Sequence, residues 1–423
     1  MIKTLSNGRV RHCLSFGNRG GPVQHIAECE PSRTLLAIGQ AVFEFEAATK
    51  TAKQRSLEIE VPKSVLSSGQ ASRLSDVLQD LFAFVLLQEV SVRFVASKNW
   101  QQTSADGLSE KSDAVVLFSG GVDSISGTLL ASSVVPSVHA VFCAHTHQGR
   151  VIALTRRLAE TYLRRHKIKM IEIPAPNMDV AGYSQTRGLY YVLSAAAVAS
   201  VVDAKSTVVS ECGPTMYQPK FGPADQVTMT THPYVMEKAK EILYLTECAT
   251  SIAFPFEDLT KAEVMAVCPK PRAFAKSHSC ISQRLQLHDG TCYGCVVRRL
   301  GAIASGSPDV EYANDPITDE SATSGNLLSL LSFCSDFLSN PSQMPSYELE
   351  LIDGYGKHDL FKRFALDNFA ALYQLKRSGV QLAPAADQIF RHTTKVIGGV
   401  RSLQARVRQL KAMREKPPKI EFS

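Results

Sequence analysis

The residues of this chain whose types and spacing suit chemistry fall in two short stretches. The first is Ser119-Gly120-Gly121-Val122-Asp123-Ser124, which follows the apolar run Ala114-Val115-Val116-Leu117-Phe118 and precedes a helix-compatible stretch from Ile125 to Ser132. A strand ending at Phe118 delivers the chain to the edge of a sheet. Gly120 and Gly121 reach backbone angles closed to other residues, so successive N–H groups can converge on phosphate oxygens. Ser119 and Ser124 add hydroxyl donors, and the following helix aims its positive end at the same point. Asp123 stands where it can cap that helix or hold Mg²⁺. The loop lacks the Gly-Lys-Ser/Thr ending of a Walker A loop, so γ-phosphoryl transfer is not the expected reaction. A lone Gly-Gly pair is a turn. Strand, Ser-Gly-Gly-x-Asp-Ser and helix together predict an ATP-binding loop made of Ser119, Gly120, Gly121, Val122, Asp123 and Ser124.

The second stretch is Ser279-Cys280, then, after eleven intervening residues, Cys292-Tyr293-Gly294-Cys295, and then Arg298. A Cys-x-x-Cys with a third cysteine nearby suits tetrahedral Zn²⁺, because the short loop lets two thiolates meet one ion. The fourth ligand is expected from His288 or Asp289, both in the intervening loop. A redox pair or an iron–sulfur cluster stays open on the cysteines alone. The other seven cysteines are scattered and read as buried packing residues.

These residues need elements to position them. Residues 1–111 read as a separate α+β module, with β-type segments at Arg33–Ile38, Ala41–Ala47, Leu57–Val61 and Val90–Val95 around one amphipathic helix from Ala71 to Leu87. A polar linker, Asn99–Ser112, closes it. In residues 112–320, strands and helices alternate. Strand Ala114–Phe118, helix Asp123–Ser132, strand Val138–Cys143, helix Gly149–His166 and strand Lys169–Ile173 open the run. Helix Arg187–Asp203, strand Ser206–Ser210, helix Tyr234–Thr246, strand Ser251–Phe254 and helix Thr260–Val267 complete it. That alternation predicts an α/β fold, a parallel doubly wound sheet with ligands outside the carboxyl ends of its strands. Arg187 opens a helix at such an end, a candidate contact for phosphate or carboxylate. Glu211 follows the fourth strand, where it can bind a base edge or a metal, or merely cap a loop. Residues 321–423 read as helical: Leu327–Leu338, His358–Lys376 and Ala385–Glu415. In the last, Val396, Val400, Leu403, Val407 and Leu410 form a seam for the protein's own body or for a second copy in a homo-oligomer.

Composition narrows the class. The chain of 423 residues, 44% hydrophobic and 20% charged, has the make-up of a soluble globular protein with two or three domains. No stretch has the length and apolarity of a membrane span, and the N-terminus carries no apolar signal core, so a cytoplasmic protein is expected. In that compartment ten cysteines favour a metal over a disulfide framework. Of the net charge of +6, the segment Gln388–Lys419 supplies +8, with nine Lys/Arg against Glu415. The remaining chain is nearly neutral, which argues against a nucleic-acid partner for the core.

Taken together and in this order, the two stretches resemble the 7-cyano-7-deazaguanine synthases, the QueC family of the pyrophosphatase-loop (PP-loop) superfamily. Thr260-Lys261-Ala262-Glu263 and Asp289-Gly290-Thr291-Cys292-Tyr293-Gly294-Cys295-Val296-Val297-Arg298 fall where that family has a Lys-Ala-Glu-like stretch and its zinc motif. The match spans roughly residues 113–303. It implies the adenine-nucleotide α-hydrolase fold and cleavage of ATP between the α- and β-phosphates. It also implies Mg²⁺ and Zn²⁺ as cofactors and 7-carboxy-7-deazaguanine as substrate, and its motif position makes Lys261 a candidate catalytic residue beside Asp123 and Arg187. Asp289 replaces the first cysteine of the family's triplet. Glu211-Cys212-Gly213-Pro214 and Thr230-Thr231-His232-Pro233 stand where its substrate stretch is expected, so the amine acceptor is left open. The flanking regions are similar in layout to QueC-like proteins of anti-phage operons (Qat and type IV CBASS), which implies attachment of a deazaguanine to a partner protein's N-terminal amine. Three alternatives stand beside this reading: a synthase using ammonia, a PP-loop tRNA-thiolating enzyme, and a non-enzymatic ATP-binding component of a defence complex.

Overall fold

A computed structural model describes residues 2–4, 9–12, 14, 26, 29–51, 56–67, 69–97, 110–145, 149–175, 184–217, 230–280, 287–319, 325–344 and 346–422. The N-terminal part runs β1 (Ile2–Thr4), β2 (Arg9–His12), α1 (Glu30–Thr51), β3 (Ser56–Val61), α2 (Lys63–Ser67), α3 (Gln70–Leu86) and β4 (Ser91–Ala96). Its sheet has the order β1-β2-β3-β4, antiparallel at the first pair and parallel at the other two. The strands expected at Arg33–Ile38 and Ala41–Ala47 are instead one helix, α1. A short apolar run buried on every side carries no period to tell strand from helix, and Leu35, Leu36, Ile38, Val42, Phe43 and Phe45 are all buried. Of the expected linker Asn99–Ser112, only residues 110–112 are described; Ser112 N–H donates to Val202 O at 2.9 Å.

The central part runs β5 (Ala114–Leu117), α4 (Val122–Val134), β6 (Val138–His145), α5 (Gly149–Leu158), β7 (Lys169–Ala175), α6 (Arg187–Val201), β8 (Ser206–Val208), α7 (Gly213–Met216), α8 (Pro233–Leu245), β9 (Ser251–Ala253) and α9 (Lys261–Val267). All neighbours in its five-stranded sheet are parallel, in the order β7-β6-β5-β8-β9. Alternate strand residues face opposite layers. Val115, Val141, Ile171 and Ile173 join α6, α8 and the N-terminal part in one apolar core, whereas Ala114, Val116, Val138 and Ala140 join α4 and α9 in another. The chain leaves β5 toward β6 on one side and pairs with β8 on the other. The crevice at the carboxyl end of β5 is therefore the topological switch point, where open parallel sheets bind ligands. The long helix expected over Gly149–His166 changes character, with a π turn at Ala159–Leu163 and a 3₁₀ turn at Arg164–His166 after α5.

The rest is helical: α10 (Tyr293–Ser305), α11 (Gly325–Ser339), α12 (Ser346–Gly354), α13 (His358–Arg377), α14 (Pro384–Val396) and α15 (Val400–Glu415). The single helix expected over Ala385–Glu415 is broken, because Gly398 and Gly399 take φ of +78° and +91°. Its seam divides accordingly: Leu403 and Leu410 are buried, while Val396 and Val400 are exposed. Among the described residues, no helix is long and apolar enough to cross a membrane.

Candidate active site and metal centre

The turn out of β5 depends on its glycines. Gly120 has φ of +79°, and a Cβ there would stand 3.0 Å from Thr155 Oγ1. Gly121 is the extended residue before α4. The loop then folds on itself: Gly121 N–H donates to Ser119 Oγ at 3.3 Å, and Ser124 Oγ donates to Gly121 O at 3.0 Å. Two neighbours brace it from outside. Thr155 Oγ1 donates to Ser119 O at 3.4 Å, and His278 N–H donates to Gly120 O at 2.9 Å. Ser119 is exposed, so the loop opens to solvent on its hydroxyl side.

Asp123 lies in the first turn of α4 but makes no capping bond. Its Oδ2 accepts Lys261 Nζ at 2.5 Å and Cys212 N–H at 3.4 Å. Its Oδ1 is buried without a hydrogen-bond partner among the described residues. Lys261 reaches it from the first residue of α9, whose start is held by a capping box: Thr260 Oγ1 accepts Glu263 N–H at 3.2 Å, and Glu263 Oε2 accepts Thr260 N–H at 2.9 Å. Burial works against the Lys261 ammonium, yet Asp123, Cys212 and Glu211 raise its pKa on balance, so it stays charged. Glu211 stands at the carboxyl end of β8, beside β5. Its carboxyl is pushed up to about 7 by burial and by the Asp123 charge, against the pull of Lys261. The Cys212 thiol is pushed up to about 12, first by burial and then by Asp123, so it is a thiol at neutral pH. One ligand atom from each of Asp123, Glu211 and Cys212 lies within 4.8 Å of the others. An orphaned buried carboxylate oxygen beside a second carboxyl is a donor set that fits a hard divalent cation.

Arg187 opens α6 as expected, and its charge acts on Tyr191. Among the described residues, no hydrogen bond or ion pair joins it to Asp123 or Lys261.

Cys280, Asp289, Cys292 and Cys295 offer ligand atoms that all lie within 4.8 Å of one another. A tetrahedral zinc site with bonds of about 2.3 Å has ligand–ligand edges of about 3.8 Å, so three sulfurs and one carboxylate fit it. Of the two expected fourth ligands, Asp289 joins this group and His288 does not. The His288 ring packs against His278 and Tyr312, with centroids 5.2 and 5.8 Å away. Burial, Arg298 and His278 hold its pKa down at about 4, a neutral core histidine. The loop is shaped by Gly290, with φ of +87°, where a Cβ would meet Asn314 O at 1.7 Å. Asp289 Oδ1 also accepts Thr291 N–H at 2.8 Å and Cys292 N–H at 3.1 Å. Arg298 is buried and anchors the approach to Cys280. It donates to Ser277 Oγ at 2.7 Å, to Ser279 Oγ at 3.3 Å and to Asp309 Oδ1 at 2.8 Å.

The two sites share one segment: residues 277–280 carry the brace on Gly120 at His278 and a metal-ligand candidate at Cys280. Several supporting residues have no motif to announce them. Thr155 and His278 brace the loop, Asp367 and Arg406 support α9, and Glu46 supports the turn before Arg187. Glu46, from α1, is buried and accepts Ser184 Oγ, Gln185 N–H, Thr186 N–H and Thr186 Oγ at 2.7–2.9 Å. No protein-family model matches the chain, and no curated protein matches it. The geometry and the motifs therefore carry the functional reading.

Proposed function

We propose that the chain is an ATP-dependent ligase that adenylates the carboxylate of 7-carboxy-7-deazaguanine and transfers the acyl group to an amine, releasing AMP and pyrophosphate. What carries the reading is Asp123 in the Ser-Gly-Gly loop at the sheet's switch point, with one oxygen held by Lys261 and the other buried and free to take a cation. A substrate carboxylate oxygen attacks the α-phosphorus, and the bond to the bridging oxygen of the β-phosphate breaks. The N–H groups of Gly120 and Gly121 and the hydroxyls of Ser119 and Ser124 receive the leaving pyrophosphate. Lys261, charged and held in place by Asp123, faces the same phosphates, and Arg187 is assigned to phosphate or substrate carboxylate. Asp123 Oδ1 and Glu211 would hold Mg²⁺, which when bound neutralises charge on the phosphates. An amine then attacks the acyl carbon and AMP leaves. A partner protein's N-terminal amine is the proposed acceptor, in keeping with an anti-phage role; ammonia would lead toward the nitrile.

Cys280, Asp289, Cys292 and Cys295 would hold Zn²⁺ as a structural ion, fixing the segment that braces Gly120. The test is direct. Purified protein with 7-carboxy-7-deazaguanine, Mg-ATP and either ammonia or operon-partner peptides should release AMP and pyrophosphate and add the deazaguanine mass to the acceptor. Asp123→Ala should abolish AMP formation while fold and zinc content persist. Unchanged turnover removes Asp123 from the site, and iron with acid-labile sulfide in the purified protein sinks the zinc assignment.

A further inference from the structure

The start of α9 is held from outside the α/β part. Behind its capping box, the C-terminal helices α13 and α15 deliver Arg363, Asp367 and Arg406 to Thr260 and Glu263. Thr260 Oγ1 donates to Asp367 Oδ2 at 2.5 Å. Arg406 donates to Asp367 Oδ1 at 2.7 Å and to Glu263 Oε1 at 2.6 Å, while Arg363 donates to both oxygens of Glu263. Thr260, Glu263, Asp367 and Arg406 are all buried. The two carboxylates and two guanidiniums balance in charge. Each makes bonds of fixed direction, so the set fixes an orientation, not merely a distance. Lys261 directly follows Thr260 and stands two residues before Glu263, and its ammonium must span to Asp123 across the gap between α9 and α4. A rotation of α9 about its axis would swing that side chain off the carboxylate.

The same C-terminal wall backs the other acidic group. Gly213, two residues after Glu211, donates its N–H to Phe256 O at 3.0 Å and Leu259 O at 3.1 Å. A Cβ on Gly213 would collide with Glu257 O at 2.1 Å and with Leu360 Cδ2 of α13 at 2.5 Å. Lys357 and Arg363 hold that same segment, through the Asp258 carboxylate at 2.8 Å and Asp258 O at 2.8 Å.

We infer that Asp367 and Arg406 are positioning residues: they set the start of α9 so that Lys261 meets Asp123, which makes the C-terminal helices part of the nucleotide site. The inference rests on the proposed role of the Asp123–Lys261 pair in ATP cleavage.

The experiment compares full-length Arg406→Ala and Arg406→Lys with Leu410→Ala, a buried apolar position one turn along the same helix. Two readouts are taken. At saturating ATP, Arg406→Ala should lower AMP-forming turnover by about 30- to 100-fold with the KM for ATP moving less than about threefold, and Arg406→Lys should recover part of the loss. Leu410→Ala should lower Tm comparably yet keep turnover within about twofold. Independently of any activity, acetylation of Lys261 followed by mass spectrometry reports whether its ammonium is still paired. Labelling should quicken at least about tenfold in Arg406→Ala and stay slow in the wild type and Leu410→Ala. Lys261 labelling in Arg406→Ala that matches the wild type overturns the inference, as does Leu410→Ala losing turnover in step at matched Tm. Wild-type protein that forms no AMP rejects the ligase reading instead, and the labelling comparison still decides the positioning.

Discussion

The two regions that flank the parallel sheet hold it by opposite means. On the N-terminal side, α1 lies along α6 with small and apolar residues. Gly39 is close enough that a Cβ would stand 3.2 Å from Tyr190, Phe43 stacks on Tyr190 at 5.5 Å, and Ser32 Oγ donates to Ala197 O at 2.9 Å. The carboxylate of Glu46 also crosses this interface, to the turn before Arg187. On the C-terminal side, three buried charged groups, Glu263, Asp367 and Arg406, meet the half-buried Arg363 at the start of α9. Apolar contact is non-directional and tolerates small shifts, whereas a buried charge network is stable only when every member keeps its partners. The difference teaches where precision is needed: packing suffices to hold α6, and directed bonds hold the helix whose lysine must find one carboxylate.

The largest effect should come from breaking the charged side. Glu263→Ala leaves Arg406 and Arg363 without a shared carboxylate and should cost about 3–5 kcal/mol in urea unfolding, the usual loss when one partner of a buried pair is deleted. Replacing Glu263, Asp367 and Arg406 together with Leu or Met should recover much of that stability without recovering Lys261 pairing. A single-variant cost under about 1 kcal/mol would erase the contrast between the two flanks.

On the apolar side, one variant tests the buried carboxylate that crosses to the turn before Arg187. Glu46→Gln keeps the shape but turns an amide group toward donors at Ser184, Gln185 and Thr186. It should cost about 2 kcal/mol and speed hydrogen exchange at the Gln185 and Thr186 amides, leaving the amides of α15 unchanged. Equal exchange changes at both flanks would mean that they are not separate supports.

The same contrast explains what was legible in the chain. The bend at Gly120, the position of Asp123 and the clustering of Cys280, Cys292 and Cys295 are local or nearly so, and motif spacing carries local geometry well. The alternation of strands and helices was legible for the same reason, since each element's period lies within its own residues. Supports that join distant segments were not. Glu46 meets Thr186 across 140 residues, Asp367 meets Thr260 across 107, and Arg406 meets Glu263 across 143. Nothing in the spacing of an isolated Glu or Arg tells which partner the fold will bring. The residues of α1 read as two strands in sequence because their burial comes from α6, a neighbour that a local window cannot see.

A smaller, pH-dependent effect separates the site from both flanks. The Glu211 carboxyl is raised from 4.5 to about 7 by burial and by Asp123. The native state therefore binds this proton more tightly than the unfolded chain does. Between pH 4.5 and 7 the unfolded state has released it and the native state has not, so stability falls as pH rises through that window. Glu211→Gln removes the titration. Relative to the wild type, the variant should gain about 1–2 kcal/mol between pH 5 and pH 8 in metal-free buffer, read as the difference in denaturant midpoints. A difference independent of pH would remove Glu211 from the Asp123 cluster.

The smallest effect belongs to the far C-terminus, where the apolar seam is interrupted. Val396 and Val400 are 45% and 39% exposed on either side of the Gly398–Gly399 break, while Leu403 and Leu410 are fully buried. Had the helix continued, all four would have shared one face. With the break, the two valines leave that face and lose their packing partners. Val396→Ser and Val400→Ser should therefore change stability by less than about 0.5 kcal/mol, whereas Leu403→Ala should cost about 2–4 kcal/mol. Mass measured by light scattering should be the same for wild type and both serine variants. A lowered mass in either would show that a second copy covers these valines, and would make the C-terminal flank a subunit contact as well as the support of α9.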